Sequence, residues 1–331
     1  MSLIKRLFWW SLIITILVAG VAIYYVTRPI TKVTMPYDFS LQPGSSLKSA
    51  AHQMNKAGLI SGTQPFILLG RSMGKSGQIK PGNYQLTKAV SLYELLEIVS
   101  KGRVAQSDIT IIEGWSFKQF REALNNAPKL RHDSALLSEA EILQRIGATE
   151  KHPEGLFFPD TYNFPSGSSD IALMKRAYKN MQLHLQESWQ GRATNLPLDT
   201  PYQALILASI VEKETGKAKD RDMIASVFIN RLRKGMMLQT DPTVIYGMGE
   251  KFDGNIRKRD LLRDTAYNTY TRYGLTPTPI SLPGKDSIQA VMHPATSSAL
   301  YFVARGDGSS QFSDTLVDHN KAVQRFQLKQ K

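Results

Sequence analysis

The chain has 331 residues, more than one average domain, and its 42% hydrophobic and 21% charged residues make a globular composition that excludes wholesale disorder. It contains no cysteine, which excludes a disulfide framework, thiol catalysis and cysteine-ligated metal. The formal charge of +13 favours an anionic neighbour, yet Lys and Arg are scattered and no basic stripe with interleaved aromatics occurs, so nucleic acid is not an expected partner; anionic lipid headgroups or an acidic polymer fit the charge equally well.

After Lys5-Arg6, Leu7 to Val26 is a run of about twenty uncharged residues with Trp9-Trp10 near one end and Tyr24-Tyr25 near the other. This predicts a transmembrane helix over 7–26 with aromatic belts. Val18-Ala19-Gly20 offers small residues for signal cleavage, but the apolar run continues through Tyr25, which favours an anchor. Lys5 and Arg6 favour a cytoplasmic tail over 1–6, although Arg28 and Lys32 on the far side reduce the asymmetry. The stretch 27–38 reads as an extended linker, because Pro29 and Pro36 both oppose helix continuation.

A small α+β module is expected over 39–106. Leu47, Ala50, Ala51 and Met54 have helical spacing with Gly58 as a stop, and Pro65 to Met73 forms a second apolar helix. Gly77 to Leu86 has strand and turn chemistry around Pro81-Gly82. Ser91 with Glu94 three residues on starts another helix, and Ile109 to Ile112 reads as a strand. The stretch 107–155 is expected to be a connecting helical segment, polar and helical from Ser116 to about Gly147.

A mixed α+β domain is expected over 156–331. It opens on the aromatic segment Leu156 to Tyr162, with Asp160 as its acid, and continues with a helix over Ser169 to Ser188. Thr200-Pro201 starts the next helix, since Thr caps and Pro suits the first turn. On that helix, at about 100° per residue, Leu207, Ile210 and Val211 lie within roughly 60° of Glu214, whereas Glu212 points nearly the opposite way. A carboxyl among aliphatic neighbours is destabilised in its charged form, so its pKa rises toward neutrality. Two readings follow: a general acid, or a helix-end carboxylate that reaches solvent or pairs with Lys213, Lys217 or Lys219. Asp220 to Leu232 makes one more amphipathic helix. Beyond Gly235, the segments Leu238 to Gly247, Thr265 to Tyr270 and Gly274 to Gly284 read as long loops dense in Tyr, Asn, Gln and Thr. Such residues suit a sugar polymer, with rings to stack on and donors for hydroxyls, and they also suit ordinary loop capping.

Taken together, several segments resemble the MltG (YceG-like) family of bacterial endolytic murein transglycosylases. They are the N-terminal apolar run, Lys80-Pro-Gly-Asn-Tyr84, Glu113-Gly114, Glu154-Gly-Leu-Phe-Phe-Pro-Asp-Thr-Tyr162, Ala208-Ser-Ile-Val-Glu-Lys-Glu-Thr215, Val227-Phe-Ile-Asn-Arg-Leu232, Leu238-Gln-Thr-Asp-Pro-Thr243, Tyr267-Asn-Thr-Tyr270 and Leu300-Tyr-Phe-Val303. The resemblance runs over nearly the whole chain. It departs in the proline-rich loop, where the family has Gly-Leu-Pro-Pro and this chain has Gly274-Leu-Thr-Pro-Thr-Pro279.

The resemblance implies an α+β protein held in the inner membrane by one helix and facing the periplasm, with a LysM-like module ahead of a catalytic domain. It implies cleavage within nascent peptidoglycan strands, and Glu214, the second glutamate of Glu-Lys-Glu-Thr, as the catalytic residue. One acid suffices for such a lyase. Glu214 would protonate the oxygen between MurNAc and GlcNAc and then accept the proton of the attacking C6 hydroxyl, leaving a 1,6-anhydro end. Gln239, Asp241, Tyr246, Tyr267, Asn268 and Tyr270 are candidates for the glycan groove. No metal or cofactor is expected; His293 and His319 are too isolated to form a ligand set by spacing. Peptidoglycan synthases are plausible partners by analogy. The alternatives are a muramidase-type hydrolase using Glu214 with Asp241 or Asp160, and a non-catalytic glycan-binding scaffold.

Overall fold

The computed structural model describes residues 3–31, 33–214 and 218–328. Thr215 and Lys217, which the sequence reading placed beside Glu214, lie outside the described residues, as does Lys32. The chain divides into two compact units, one formed by residues 1–108 and 163–168, the other by 109–162 and 169–331.

The first unit begins with α1 (Leu3–Thr27), whose stretch Leu7–Thr27 has a mean hydropathy of 2.2. Twenty-one helical residues span about 32 Å, enough to cross a hydrocarbon core of about 30 Å. Large side chains from Leu7 to Tyr24 are exposed, so among the described residues most of the apolar surface of this helix is uncovered, which is compatible with a single-pass membrane anchor. Its last turn meets the module: Tyr25 packs against the core of the small unit, and Ile30 N donates to Val90 O at 2.8 Å.

The module follows in the order β1 (Tyr37–Leu41), α2 (Leu47–Lys56), α3 (Gln64–Ser72), β2 (Gly82–Leu86) and α4 (Leu92–Lys101). β1 and β2 pair antiparallel with Phe39 opposite Tyr84, and their rings stack at 5.2 Å. Alternation sends Phe39, Leu41, Tyr84 and Leu86 to one face, where they meet Ala50, Met54, Phe66, Leu95 and Leu96. Ser46 caps α2, and Ser91 with Glu94 forms a capping box on α4, which ends at the left-handed Gly102. The chain leaves through β3 (Gln106–Thr110) and returns through β4 (Thr161–Pro165), which pair with each other. The return of residues 163–168 to the first unit has no local signal in the sequence.

In the second unit, α5 (Phe117–Asn125) and α6 (Glu139–Ile146) each start with a serine capping box. The sequence reading treated 107–155 as a connector, but residues 109–155 belong to this unit. Phe117 stacks on Phe157 at 5.4 Å and Phe120 lies 5.0 Å from the same ring, so α5 is core rather than linker. Then come α7 (Asp170–Gln190), α8 (Pro201–Glu214), α9 (Ala218–Arg233), α10 (Asp241–Met248), α11 (Lys258–Leu262), α12 (Lys285–Met292), an antiparallel hairpin of β5 (Tyr301–Ala304) and β6 (Ser310–Ser313), and α13 (Leu316–Val323). Asp241 to Met248, read from sequence as loop, is helical, with Pro242 in the first turn where it lacks only an unneeded N–H.

Helix α8 is the centre of this unit. Ala204 to Val211 are buried without a break, because α7, α9, α10 and α12 surround them. The one-sided apolar face expected from periodicity is therefore apolar all round, as in a core helix. Thr200 Oγ1 accepts from Gln203 N at its start.

Candidate active site

Glu214 stands where α8 leaves the core. Leu207, Ile210 and Val211 are buried beneath it. Its side chain keeps some surface open to a cleft of about 420 Å³ lined by Arg231, Gln239, Asp241, Tyr270, Tyr301 and His319, among others. The carboxyl itself is ringed by protein atoms, and this burial pushes its pKa up; the hydroxyl of Thr240, which donates to Oε1, pulls the other way, as does Arg231, while Asp241 pushes it further up. An acid so placed can be protonated in the resting state and can recover its proton after giving it up.

The two glutamates of the Glu-Lys-Glu stretch are not equivalent. Glu212 is half-buried and accepts from Gly284 N at 2.9 Å and Ser287 Oγ at 2.7 Å, holding the start of α12. Glu113 lies at the same corner, where a Cβ on Gly284 would overlap its carboxylate; burial raises its pKa first and the charge of Glu212 second. Lys213 donates to Gly114 O at 3.2 Å rather than to Glu214.

Arg231 on α9 builds the opposite wall. It is buried, with Nε on Leu300 O at 2.7 Å and Nη1 on Leu238 O at 2.8 Å and Met237 O at 3.2 Å, and its guanidinium lies 5.2 Å from the Tyr301 ring centroid. His319 stacks on the Tyr301 ring, with centroids 5.2 Å apart. Sequence reasoning missed Arg231, Thr240, Tyr301 and His319. Arg231, Thr240 and Tyr301 do fall inside quoted motifs, but nothing in their spacing shows that α9, the loop before α10 and β5 converge on the end of α8.

The six groove candidates separate into three groups. Gln239, Asp241 and Tyr270 line the cleft with Glu214, and Tyr270 OH donates to Asp241 Oδ1 at 2.6 Å. Tyr246 and Tyr267 line a different cleft of about 670 Å³, on the far end of α10, with rings 4.9 Å apart. Asn268 lines neither. It is 1% exposed. Its amide donates to Leu261 O at 3.0 Å and Arg263 O at 2.7 Å at the C-terminal end of α11, and its Oδ1 accepts from Tyr270 N at 2.8 Å. It organises the loop instead of presenting a polar group to a ligand.

The second cleft contains Glu154, 6% exposed, which accepts from Phe117 N at 2.9 Å and Tyr246 OH at 3.1 Å. Burial pushes its carboxyl to about 7 against those two hydrogen bonds. Asp160, the alternative second acid, accepts from Thr161 N at 2.7 Å at the start of β4 and lines neither of these clefts.

A model of the YceG-like family matches residues 39–325. An endolytic murein transglycosylase of Bacillus subtilis is 30% identical over 311 residues, which span 87% of this chain and 84% of that protein. One of Streptococcus pneumoniae is 27% identical over 314 residues, 85% of this chain but 56% of that longer protein. A solved YceG-like protein of Listeria monocytogenes aligns with a TM-score of 0.55 and 30% identity, covering 86% of this chain and 98% of that one. With a match that runs from β1 past α13, this chain belongs to the YceG-like family.

Proposed function

We propose that the chain is a membrane-anchored endolytic murein transglycosylase in which Glu214 is the single acid and base. One observation carries this reading: a carboxyl buried at the end of a core helix, with its pKa raised by burial, opens on a cleft walled by Gln239, Asp241, Tyr270 and Tyr301. The homologues named endolytic murein transglycosylases support the substrate class. In the proposed reaction the Glu214 proton passes to the glycosidic oxygen as the bond from MurNAc C1 to that oxygen breaks. The C6 hydroxyl of the same MurNAc closes on C1, and its proton returns to the Glu214 carboxylate. No water is consumed, and the product ends in 1,6-anhydro-MurNAc.

α1 would hold the chain in the inner membrane with the rest in the periplasm, and the module after it, LysM-like on the family resemblance, would retain glycan near the cleft. Anchoring in the membrane that holds the synthases would favour ending elongation of new glycan. A hydrolase is the second reading, favoured by one observation: Asp241 lines the same cleft. Digestion of peptidoglycan with mass analysis of the new ends separates the two. Anhydro ends that vanish in Glu214→Gln support the lyase. Reducing ends carrying added water would overturn it in favour of the hydrolase.

A further inference from the structure

Thr240 is held more firmly than a groove residue needs to be. It is 2% exposed. Its N–H donates to Thr269 Oγ1 at 3.1 Å, its carbonyl accepts from Thr243 Oγ1 at 2.7 Å, and the Thr243 and Thr269 hydroxyls lie 2.8 Å apart. The preceding residue, Gln239, has φ +49, a left-handed conformation that a non-glycine residue adopts only when its surroundings impose it. Those surroundings are visible: Gln239 N donates to Thr269 O at 3.1 Å, and Arg231 grips the carbonyls of Met237 and Leu238. The loop is thus clamped on both sides, and the outcome of the clamp is a hydroxyl aimed at Glu214 Oε1.

A threonine hydroxyl has one proton to donate. When that proton goes to Oε1, the exchangeable proton of a neutral Glu214 belongs on Oε2. When Glu214 loses its proton, the same hydroxyl becomes a charge-assisted donor to the new carboxylate and binds it more tightly than before. We propose that Thr240 is the positioning residue of the reaction, directing the acid proton of Glu214 to Oε2 and stabilising the carboxylate that forms as the glycosidic bond breaks. This rests on Glu214 being the acid. Thr240 touches that acid and not the sugar, and its contribution grows only as charge develops, which is the condition for accelerating a step rather than merely tightening binding.

The test compares Thr240→Val, Thr240→Ala and Thr240→Ser with Glu214→Gln in the full chain, on peptidoglycan strands. kcat and KM are measured across pH, and the Glu214 carboxyl is titrated by isotope-edited infrared spectroscopy. Loss of the hydroxyl is expected to lower kcat about 10- to 100-fold and leave KM within about 2-fold, since uniform binding is untouched. It also moves the alkaline limb of kcat and the Glu214 titration to higher pH, because the charged form loses a donor. Thr240→Ser restores the limb and most of kcat. Thr240→Ala covers the case in which valine prevents folding. Wild-type kcat in Thr240→Ala, an unmoved Glu214 titration, or a serine variant as impaired as alanine would each overturn the proposal. Full activity in Glu214→Gln instead overturns the acid assignment beneath it, and with it this inference; an inactive Glu214→Gln with an unmoved titration in Thr240→Ala overturns the inference alone.

Discussion

Glu212 and Glu214 sit two positions apart on α8, yet one carboxylate holds Gly284 N and Ser287 Oγ while the other accepts from the buried hydroxyl of Thr240. A helix turns by about 100° per residue, so positions two apart face nearly opposite ways. That geometry gives one glutamate to the framework and turns the other toward the cleft.

Substitutions should separate these roles. Glu214→Gln is expected to lose about 10²- to 10⁴-fold in activity, the usual worth of a positioned acid, with little loss of stability. Glu212→Ala leaves Gly284 N without its acceptor and should cost about 1–3 kcal/mol of stability, while activity at a temperature where it is folded falls far less. Turnover and thermal unfolding of the same preparations check both.

The pH dependence of activity follows from the raised pKa of Glu214. In the proposed reaction Glu214 starts protonated, so activity is expected to fall as pH rises through that pKa. Asp241 contributes to the upward shift by its charge. Asp241→Asn should therefore move the alkaline limb to lower pH, opposite to the effect of removing the Thr240 hydroxyl. A pH–rate profile of the two variants side by side decides it.

Burial at Glu214 also opposes stability. A carboxyl whose folded pKa exceeds its unfolded value stabilises the fold at low pH and loses that contribution as pH rises through the folded pKa. Glu214→Gln removes the ionisation, so the variant should unfold at a higher temperature than the parent at alkaline pH and gain little at acid pH. Calorimetry at the two pH values measures the difference, which is the trade of stability for function expected at an active site.

Glu154 gives a second pH signature with a defined window. Its pKa is raised from 4.5 to about 7. The sign is the same: its contribution is complete below about pH 4.5 and is lost by about pH 7, a change of roughly 3 kcal/mol. Glu154→Gln should flatten the stability profile between pH 5 and 8 by up to that amount. Denaturant unfolding of both proteins across the window tests it.

Gly155 supports the same region through backbone shape. It has φ +79, and a Cβ there would overlap the Pro279 ring. Gly155→Ala combines a strained conformation with a clash and should cost about 1–3 kcal/mol, read as a lower melting temperature.

Much of the fold was legible locally. The apolar run of α1, the Ser91 and Glu94 capping box of α4, and Thr200-Pro201 at the start of α8 all depend on neighbours within one helical turn. Helical spacing alone singles out Glu214, because the residues beneath it are the same whether or not α8 is buried on every side. Asn268, a groove candidate in the sequence, lines neither cleft. An amide in a loop rich in Tyr and Thr looks like a ligand contact, and only the packing of α11 shows that backbone carbonyls claim it.

The sequence by itself determined the apolar N-terminal helix, several helix starts and which of two glutamates lies on the apolar face of α8, since those rest on composition and on the fixed turn of a helix. Tertiary structure alone decided that Tyr246 and Tyr267 belong to a different cleft from Tyr270, that residues 109–155 join the second unit, and that Arg231, Thr240 and Tyr301 gather around Glu214. Those relationships join residues dozens of positions apart. They are settled by which surfaces bury each other best, a competition among all elements at once that no local pattern records.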